Sequence, residues 1–426
     1  MNWEKLDKEN IWHPFSPLSN TPVIHVKKGR GVYLQTSDNR WIMDCISSWW
    51  VNIHGHANKQ ISRSIAKQVK KLEQVIFAGF THEPAIKLSQ MLLKLLPKAQ
   101  SKIFFSDDGS TSVEVALKLA IQYWKNLGIS RKRIIAIEGA YHGDTFGSMS
   151  VGERGLFNLP FHDFLFEVDF IPFPDGDGSG SISKMKELVS DDTAIFIFEP
   201  LVQGAAGMRM YDHEVLDQLI EIARSKNVLC IADEVMTGFG RTGKTFACDY
   251  LKNKPDIFCL SKGITGGFLP MGVTTISNFI ADSFDGKDYH KTFFHGHSYT
   301  ANPLACAAAV TSLKILNKQK CKEQIQMITD SHAEFVSRER SLKNINEVRA
   351  LGTILRVDLF ADDPGYVSEL KEKIYDFFLE KNLLIRPLGN VIYVLPPYVI
   401  NKEELEKVYS SIDEFLRIFQ SNFGVN

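Results

Sequence analysis

The sequence carries no excess of either charge. Its 426 residues hold 49 basic and 50 acidic side chains, a formal net charge of −1. No overall basic surplus marks it for nucleic acid, and no acidic tail is present. Long apolar runs are also missing: none approaches the ~18–20 residues of a membrane span. The segment from Met1 to Phe15 alternates charged and aromatic side chains. It lacks the ~7–15-residue apolar region of a secretory signal. The expectation is a cytoplasmic protein with no nucleic-acid or membrane partner. Cysteine is sparse. Cys45, Cys230, Cys248, Cys259, Cys306 and Cys321 are never spaced as Cys-x-x-Cys, and most lie in apolar stretches. Buried free thiols in a reducing compartment are expected. His54 and His56 flank Gly55, but no further ligands follow at finger-like spacing, so no metal site is expected.

What is present is ordinary globular material, 44% apolar and 23% charged. At ~100–200 residues per domain, the length suits one large and one small domain. Residues 1–55 read as irregular and aromatic-rich, with strand signals around 23–29, 32–36 and 41–46. Helical periodicity predicts helices over 59–75 and 83–96, the second stopping before Pro97. Short β-rich runs then alternate with helical stretches: 103–106, 133–139, 193–200 (followed by a helix near 213–226), 228–234 and 256–263. That is the pattern of βα units around a mostly parallel sheet, whose functional loops sit at the carboxyl ends of the strands. Residues 174–181, Pro-Asp-Gly-Asp-Gly-Ser-Gly-Ser, read as a surface loop. From about 315 the texture changes to long charged helices, a strand pair near 351–360 and 390–397, and a last helix from about 402. We expect a large α/β domain over 56–314 and a smaller α+β domain built from 1–55 and 315–426.

One motif misleads. Gly238-Phe-Gly-Arg-Thr-Gly243-Lys244-Thr245 matches the phosphate-loop pattern in full. Asp233 and Glu234, however, end the strand that leads directly into it, whereas nucleotide hydrolases take their acidic strand from elsewhere. The residues after Lys244 also start a helix poorly. A different constellation is stronger. Lys262 ends the apolar run Asp-Ile-Phe-Cys-Leu-Ser, where lost solvation makes an amine a better nucleophile. Gly263, Gly266 and Gly267 are expected to leave room for a flat ligand. Asp233 ends a neighbouring apolar run and needs a cationic partner there. A lysine amine with a carboxylate for a pyridine nitrogen is the pairing of pyridoxal-phosphate sites. Gly109 and Ser110 open a helix after a strand, where free amides suit a dianion, provided Asp107 and Asp108 turn away as turn and cap residues. Tyr141 lies where a ring could stack on such a ligand.

In chain order, Gly109-Ser110, Tyr141-His-Gly143, Glu199-Pro200, Ala232-Asp-Glu234, Ser261-Lys-Gly263 and His295 to Ala305 resemble the class III pyridoxal-phosphate aminotransferases. The resemblance runs from about residue 11 to 400. Within that family, Ile11-Trp-His-Pro-Phe15, Ser47-Ser-Trp49-Trp50, Gln203 to Met210, and Arg386-Pro-Leu-Gly with Tyr393 are similar to the members acting in biotin biosynthesis. Those move an amino group from S-adenosyl-L-methionine to 8-amino-7-oxononanoate, giving 7,8-diaminononanoate. Relatives that use glutamate usually carry a glutamate after Gln-Gly; Ala205 stands here. Members using S-adenosyl-L-methionine commonly have tyrosine where Phe15 stands, so lysine as donor, or another distal amine as substrate, stays open.

The resemblance implies an α/β, type I pyridoxal-phosphate-dependent transferase fold, pyridoxal 5′-phosphate as cofactor, and a homodimer with shared sites. It implies that Lys262 bonds the cofactor and moves a proton, and that Asp233 keeps the ring nitrogen protonated. Gly109 and Ser110 would hold the phosphate, with His297 and Ser298 of a second subunit. Tyr141 would stack on the ring. Phe15, Trp49, Tyr141, Arg241, Gly296, Arg386 and Tyr393 would form the substrate site, with Arg386 meeting the carboxylate of the keto acid.

Overall fold

The alternation of short apolar runs with helices builds a seven-stranded sheet in the computed structural model, which describes residues 3–18, 22–339, 345–361 and 369–423. Its strands are β1 (Gln100–Ser106), β2 (Arg133–Ile137), β3 (Asp169–Ile171), β4 (Thr193–Phe198), β5 (Leu229–Asp233), β6 (Ile257–Leu260) and β7 (Gly272–Ser277). They lie in the order β1-β7-β6-β5-β4-β2-β3, and only β7 runs antiparallel to its neighbours. Every residue of β4 and β5 is buried, as expected of parallel strands covered on both faces. Their side chains alternate between two cores. Ile195, Ile197 and Ile231 join the cluster under helix Gly109–Asn126, while Phe196, Phe198, Cys230 and Ala232 join the other.

Helix Glu83–Leu95 starts at the His82 cap and stops before Pro97, as its sequence predicts. The helix predicted over 59–75 ends at Val69, where the amides of Lys71 and Leu72 turn back onto the Gln68 carbonyl at 2.8 and 3.1 Å. Two further differences are small. Residues 3–10 form a helix where irregular chain was expected. The loop expected over 174–181 turns helical at Ser179. All six cysteines are buried and free. Among the described residues no helix is long and apolar enough to cross a membrane, and no group of three or more His, Cys, Asp or Glu is placed to hold a metal.

The two ends of the chain meet. Strands Val26–Arg30, Tyr33–Thr36 and Trp41–Asp44 form a sheet whose fourth member is Leu383–Leu384, parallel to Trp41–Asp44. A second small sheet joins Ile345–Leu351, Ile354–Leu359 and Val391–Val394, all antiparallel. Beneath it His332 is fully buried, its Nδ1 2.7 Å from the Tyr409 hydroxyl and its Nε2 3.3 Å from the Thr353 carbonyl. Burial lowers its pKa from 6.5 to about 4. The unfolded chain therefore binds a proton that the folded chain refuses between those values. Stability from neutral His332 is complete above 6.5 and lost as pH falls toward 4. His332→Gln is expected to destabilise the protein at pH 8 and to do so progressively less from pH 6.5 to 5. Urea midpoints across that range check it; a penalty constant with pH would mean His332 does not titrate as described.

Candidate functional site

The site assembles at the carboxyl edge of the sheet, where chain ends of separate strands converge. Asp233 is the last residue of β5, Lys262 lies two past β6, Glu199 directly follows β4, and Tyr141 lies four past β2. Residues 107–110 follow β1. These residues line one cavity of about 400 Å3 with Trp50, His142, Gly143, Val235 and the segment 267–271.

Lys262 sits in the left-handed region (φ 43°) at the start of a single 3-10 turn, strain held in place by the surrounding strands. Its Nζ lies 4.6 Å from the centre of the Trp50 ring. Burial lowers the pKa of its amine, opposed by the charges of Asp233 and Glu199. The neutral amine is the form that attacks a carbonyl carbon and accepts a proton.

Asp233 is 5% exposed. Its Oδ2 lies 2.7 Å from His142 Nδ1, and its Oδ1 accepts from the Val235 amide at 3.0 Å. His142 Nε2 is buried without a protein partner. Glu199 accepts from the amides of Tyr141 and Gly204, at 3.0 and 2.9 Å. Burial raises its carboxyl to about 7, with Asp233 adding to the rise. The Tyr141 hydroxyl donates to Asp144 Oδ2 at 2.8 Å. Burial first, and Asp144 next, push that phenol up.

The phosphate cradle resolves a conflict in the sequence. Asp108 is the cap of helix Gly109–Asn126, its Oδ1 accepting from the Thr111 amide at 2.8 Å. Asp107 Oδ2 lies 3.2 Å from His297 Nδ1. Asp108 is thus engaged as the cap, Asp107 stays half-exposed beside His297, and Gly109 and Ser110 head the helix on the cavity. A methyl at Gly109 would press on Val235, and one at Gly143 would overlap the Ser110 hydroxyl. The amine, the carboxylate and the helix N-terminus fit a flat pyridine aldehyde bearing a phosphate.

The substrate residues divide. Phe15 and Trp49 meet edge to face at 5.4 Å, and the Arg386 guanidinium lies 5.1 Å from the Trp49 ring centre. Phe157, which the sequence reading did not single out, packs on Phe15 at 5.8 Å and lines a second cavity that shares Tyr141, His142 and Gly143 with the first. Ala205 and Ala206 line that cavity too. Tyr393 is placed differently from expectation. It is 1% exposed and is absent from the cavity wall, its hydroxyl accepting from Trp50 Nε1 at 3.1 Å. It supports Trp50 from behind. Arg241 is also fully interior, donating to the Pro396 carbonyl at 2.9 Å and the Trp50 carbonyl at 3.1 Å. It braces the same tryptophan. Gly296, His297 and Ser298 lie outside the cavity lining of their own chain. Of the three glycines expected to make room for a ligand, only Gly267 borders the cavity. Gly263 instead admits Ile53 and Phe239, and Gly266 admits Ile61 and His54.

The phosphate-loop look-alike has another task. Glu234, raised to about 7 by burial, accepts from Thr237 Oγ1 and from the amides of Ala247 and Cys248 at 2.6, 3.0 and 2.7 Å. It ties down the loop that carries Arg241. Lys244 lies over the Tyr250 ring at 3.9 Å, and the loop leads into a 3-10 turn, Ala247–Tyr250, not an α-helix.

A lysine and an aspartate at the carboxyl ends of adjacent parallel strands, beside a helix N-terminus, define a pyridoxal-phosphate transferase of the type I fold. The comparisons with known proteins agree. The model of the family described as aminotransferase class-III matches residues 15–416, and this chain belongs to that family. It is 47% identical to an adenosylmethionine-8-amino-7-oxononanoate aminotransferase of Synechococcus elongatus, across 96% of this chain and 98% of the relative. It is 37% identical to the enzyme of that name from Helicobacter pylori, across 97% and 98%. Among solved structures, the adenosylmethionine-8-amino-7-oxononanoate aminotransferase of Methanocaldococcus jannaschii superposes with a TM-score of 0.91 at 33% identity, covering 96% of this chain and 98% of that one. An amine transaminase from an uncultivated Pseudomonas species, in its PLP-bound form, gives 0.89 at 29% identity, covering 95% and 97%.

Proposed function

We propose that this chain transfers an amino group from S-adenosyl-L-methionine to 8-amino-7-oxononanoate, forming 7,8-diaminononanoate for biotin synthesis, with pyridoxal 5′-phosphate as cofactor. The observation that carries the reading is the Arg386 guanidinium over the Trp49 ring, with Phe15 meeting that ring edge to face. Such a grouping suits an acceptor with an apolar chain ending in a carboxylate. Ala205 borders the neighbouring cavity, at the position where relatives that use glutamate as donor usually carry a glutamate. The near-full-length identity to enzymes of that name supports the same substrates. We also assign the chain to a homodimer in the cytoplasm, in which Gly296, His297 and Ser298 of each subunit complete the other's site.

Bound pyridoxal phosphate supplies an aldehyde that takes up the amino group and a ring that draws off an electron pair. The chain does the rest. Gly109 and Ser110 would hold the phosphate, and Tyr141 would cover the ring. Asp233 would set a carboxylate against the ring nitrogen. Lys262 Nζ, its pKa lowered by burial, would hold the cofactor and move a proton at the reacting carbon. Phe15 and Trp49 offer an apolar surface beside Arg386, which would orient the keto acid by its carboxylate.

The test is single-turnover absorbance near ~420 nm. S-adenosyl-L-methionine is expected to bleach the yellow protein faster than lysine at equal concentration, and the oxononanoate to restore the colour. Faster bleaching by lysine would overturn the donor and leave the acceptor standing. Arg386→Ala is expected to slow the restoring half-reaction by about 10–100-fold, the loss of a charge-assisted pair. The bleaching half is expected to change far less. Equal losses in both halves would make Arg386 a shared or structural residue.

A further inference from the structure

Glu114 lies on the helix that begins at the phosphate cradle, one turn beyond Ser110 and therefore on the same face. Its Oε1 accepts from Thr145 Oγ1 at 2.5 Å and from the amides of Gly147 and Ser148 at 2.7 and 3.1 Å. Those amides open the short helix Phe146–Ser150. Four residues earlier on the helix, and three before Gly147 on the loop, lies a second contact: the Asp144 amide donates to Ser110 Oγ at 3.2 Å. Glycines allow both approaches. A methyl at Gly147 would overlap the Glu114 carboxylate, as one at Gly143 would overlap Ser110. The loop from Tyr141 to Ser148 is thus clipped to the cradle helix at two points.

We propose that Glu114 is a positioning residue for the cofactor, acting through the 141–148 loop. It never touches the cavity. Its carboxylate fixes the loop's register where the Asp144 amide meets Ser110, and so holds the Ser110 hydroxyl at the phosphate end of the cavity. Three strong hydrogen bonds to one carboxylate oxygen hold that register more firmly than the single Ser110 contact alone. With the clip removed, the Ser110 hydroxyl loses its fixed orientation toward a phosphate. The inference rests on the cofactor reading above.

Equilibrium titration of the apo-protein with pyridoxal phosphate, and separately with unphosphorylated pyridoxal, tests it by absorbance. Wild-type binding of pyridoxal phosphate tests the cofactor reading by itself. Glu114→Ala is expected to weaken pyridoxal phosphate by about tenfold or more, the scale of a lost positioning contact. Pyridoxal is expected to weaken much less, and Glu114→Gln, which keeps an acceptor oxygen, to recover most of the affinity. Gly147→Ala disturbs the clip from its other side, should reproduce the phosphate-selective loss, and should add little to Glu114→Ala in the double variant. If Glu114→Ala does not fold, Gly147→Ala alone decides. Unchanged pyridoxal phosphate affinity, or equal losses for both ligands, would overturn the proposal.

Discussion

Lys262→Ala is expected to reduce steady-state transamination by at least about 10⁴-fold while the protein stays folded and still takes up pyridoxal phosphate. Two roles vanish together, the covalent hold on the cofactor and the movement of a proton, and proton transfer alone contributes about 10²–10⁴-fold. Folding is spared for a local reason. Lys262 occupies a left-handed backbone position (φ 43°), and alanine carries the same backbone strain there as lysine. The side chain lost is one whose amine was held by burial near the Trp50 face, a contact that cost solvation to make. Cofactor retention follows from the helix N-terminus at Gly109 and Ser110 and from Asp233, none of which moves. Turnover assays beside cofactor stoichiometry check both halves. Substantial steady-state turnover in the purified variant would remove Lys262 from its central place.

Asp233→Asn is expected to slow the donor half-reaction by about 10²–10³-fold, the scale of removing one electrostatic partner of the reacting system. The amide is nearly isosteric. Its oxygen can still accept from the Val235 amide, so the end of β5 keeps its turn. What changes is charge and the direction of one hydrogen bond. The new NH2 faces His142 Nδ1, which sat 2.7 Å from the carboxylate. His142 must then accept there and carry its proton on Nε2, a buried atom with no protein partner. A negative group that favoured a protonated ring nitrogen is replaced by a neutral one. Stopped-flow bleaching by S-adenosyl-L-methionine, with the cofactor shown to be bound, measures the loss. An unchanged rate would refute the role of Asp233.

Residues that end strands were legible from sequence because a strand is a local event. Asp233 and Lys262 each close an apolar run, and the sheet carries such ends to one edge whatever the rest of the chain does. The phosphate cradle was legible for the same reason, a strand followed by a capped helix. His142, Glu199 and Glu114 were not, because their meaning lies in partners on other segments. His142 reads as the middle of Tyr-His-Gly until β2 and β5 bring it to Asp233. Glu114 is an unremarked helix residue until the 141–148 loop lands on it. Tyr393 erred in the opposite direction. It belongs to a motif near Arg386, yet strand alternation turns its ring inward behind Trp50. Phe157 carried no periodic or motif signal, and only packing places it beside Phe15.

The pairing of the two chain ends bears on how the protein is made. Ser47 donates to the Leu395 carbonyl across 348 residues of sequence, and Trp41–Asp44 finds its parallel neighbour only in Leu383–Leu384. During synthesis the seven main strands leave the ribosome long before that neighbour exists. Until then Trp41–Asp44 is an open sheet edge, the kind of surface that invites wrong partners. The cradle for the cofactor can therefore form on a nascent chain that has no Arg386. The residues of the cradle are thus synthesised before Arg386, the residue assigned to the substrate's carboxylate.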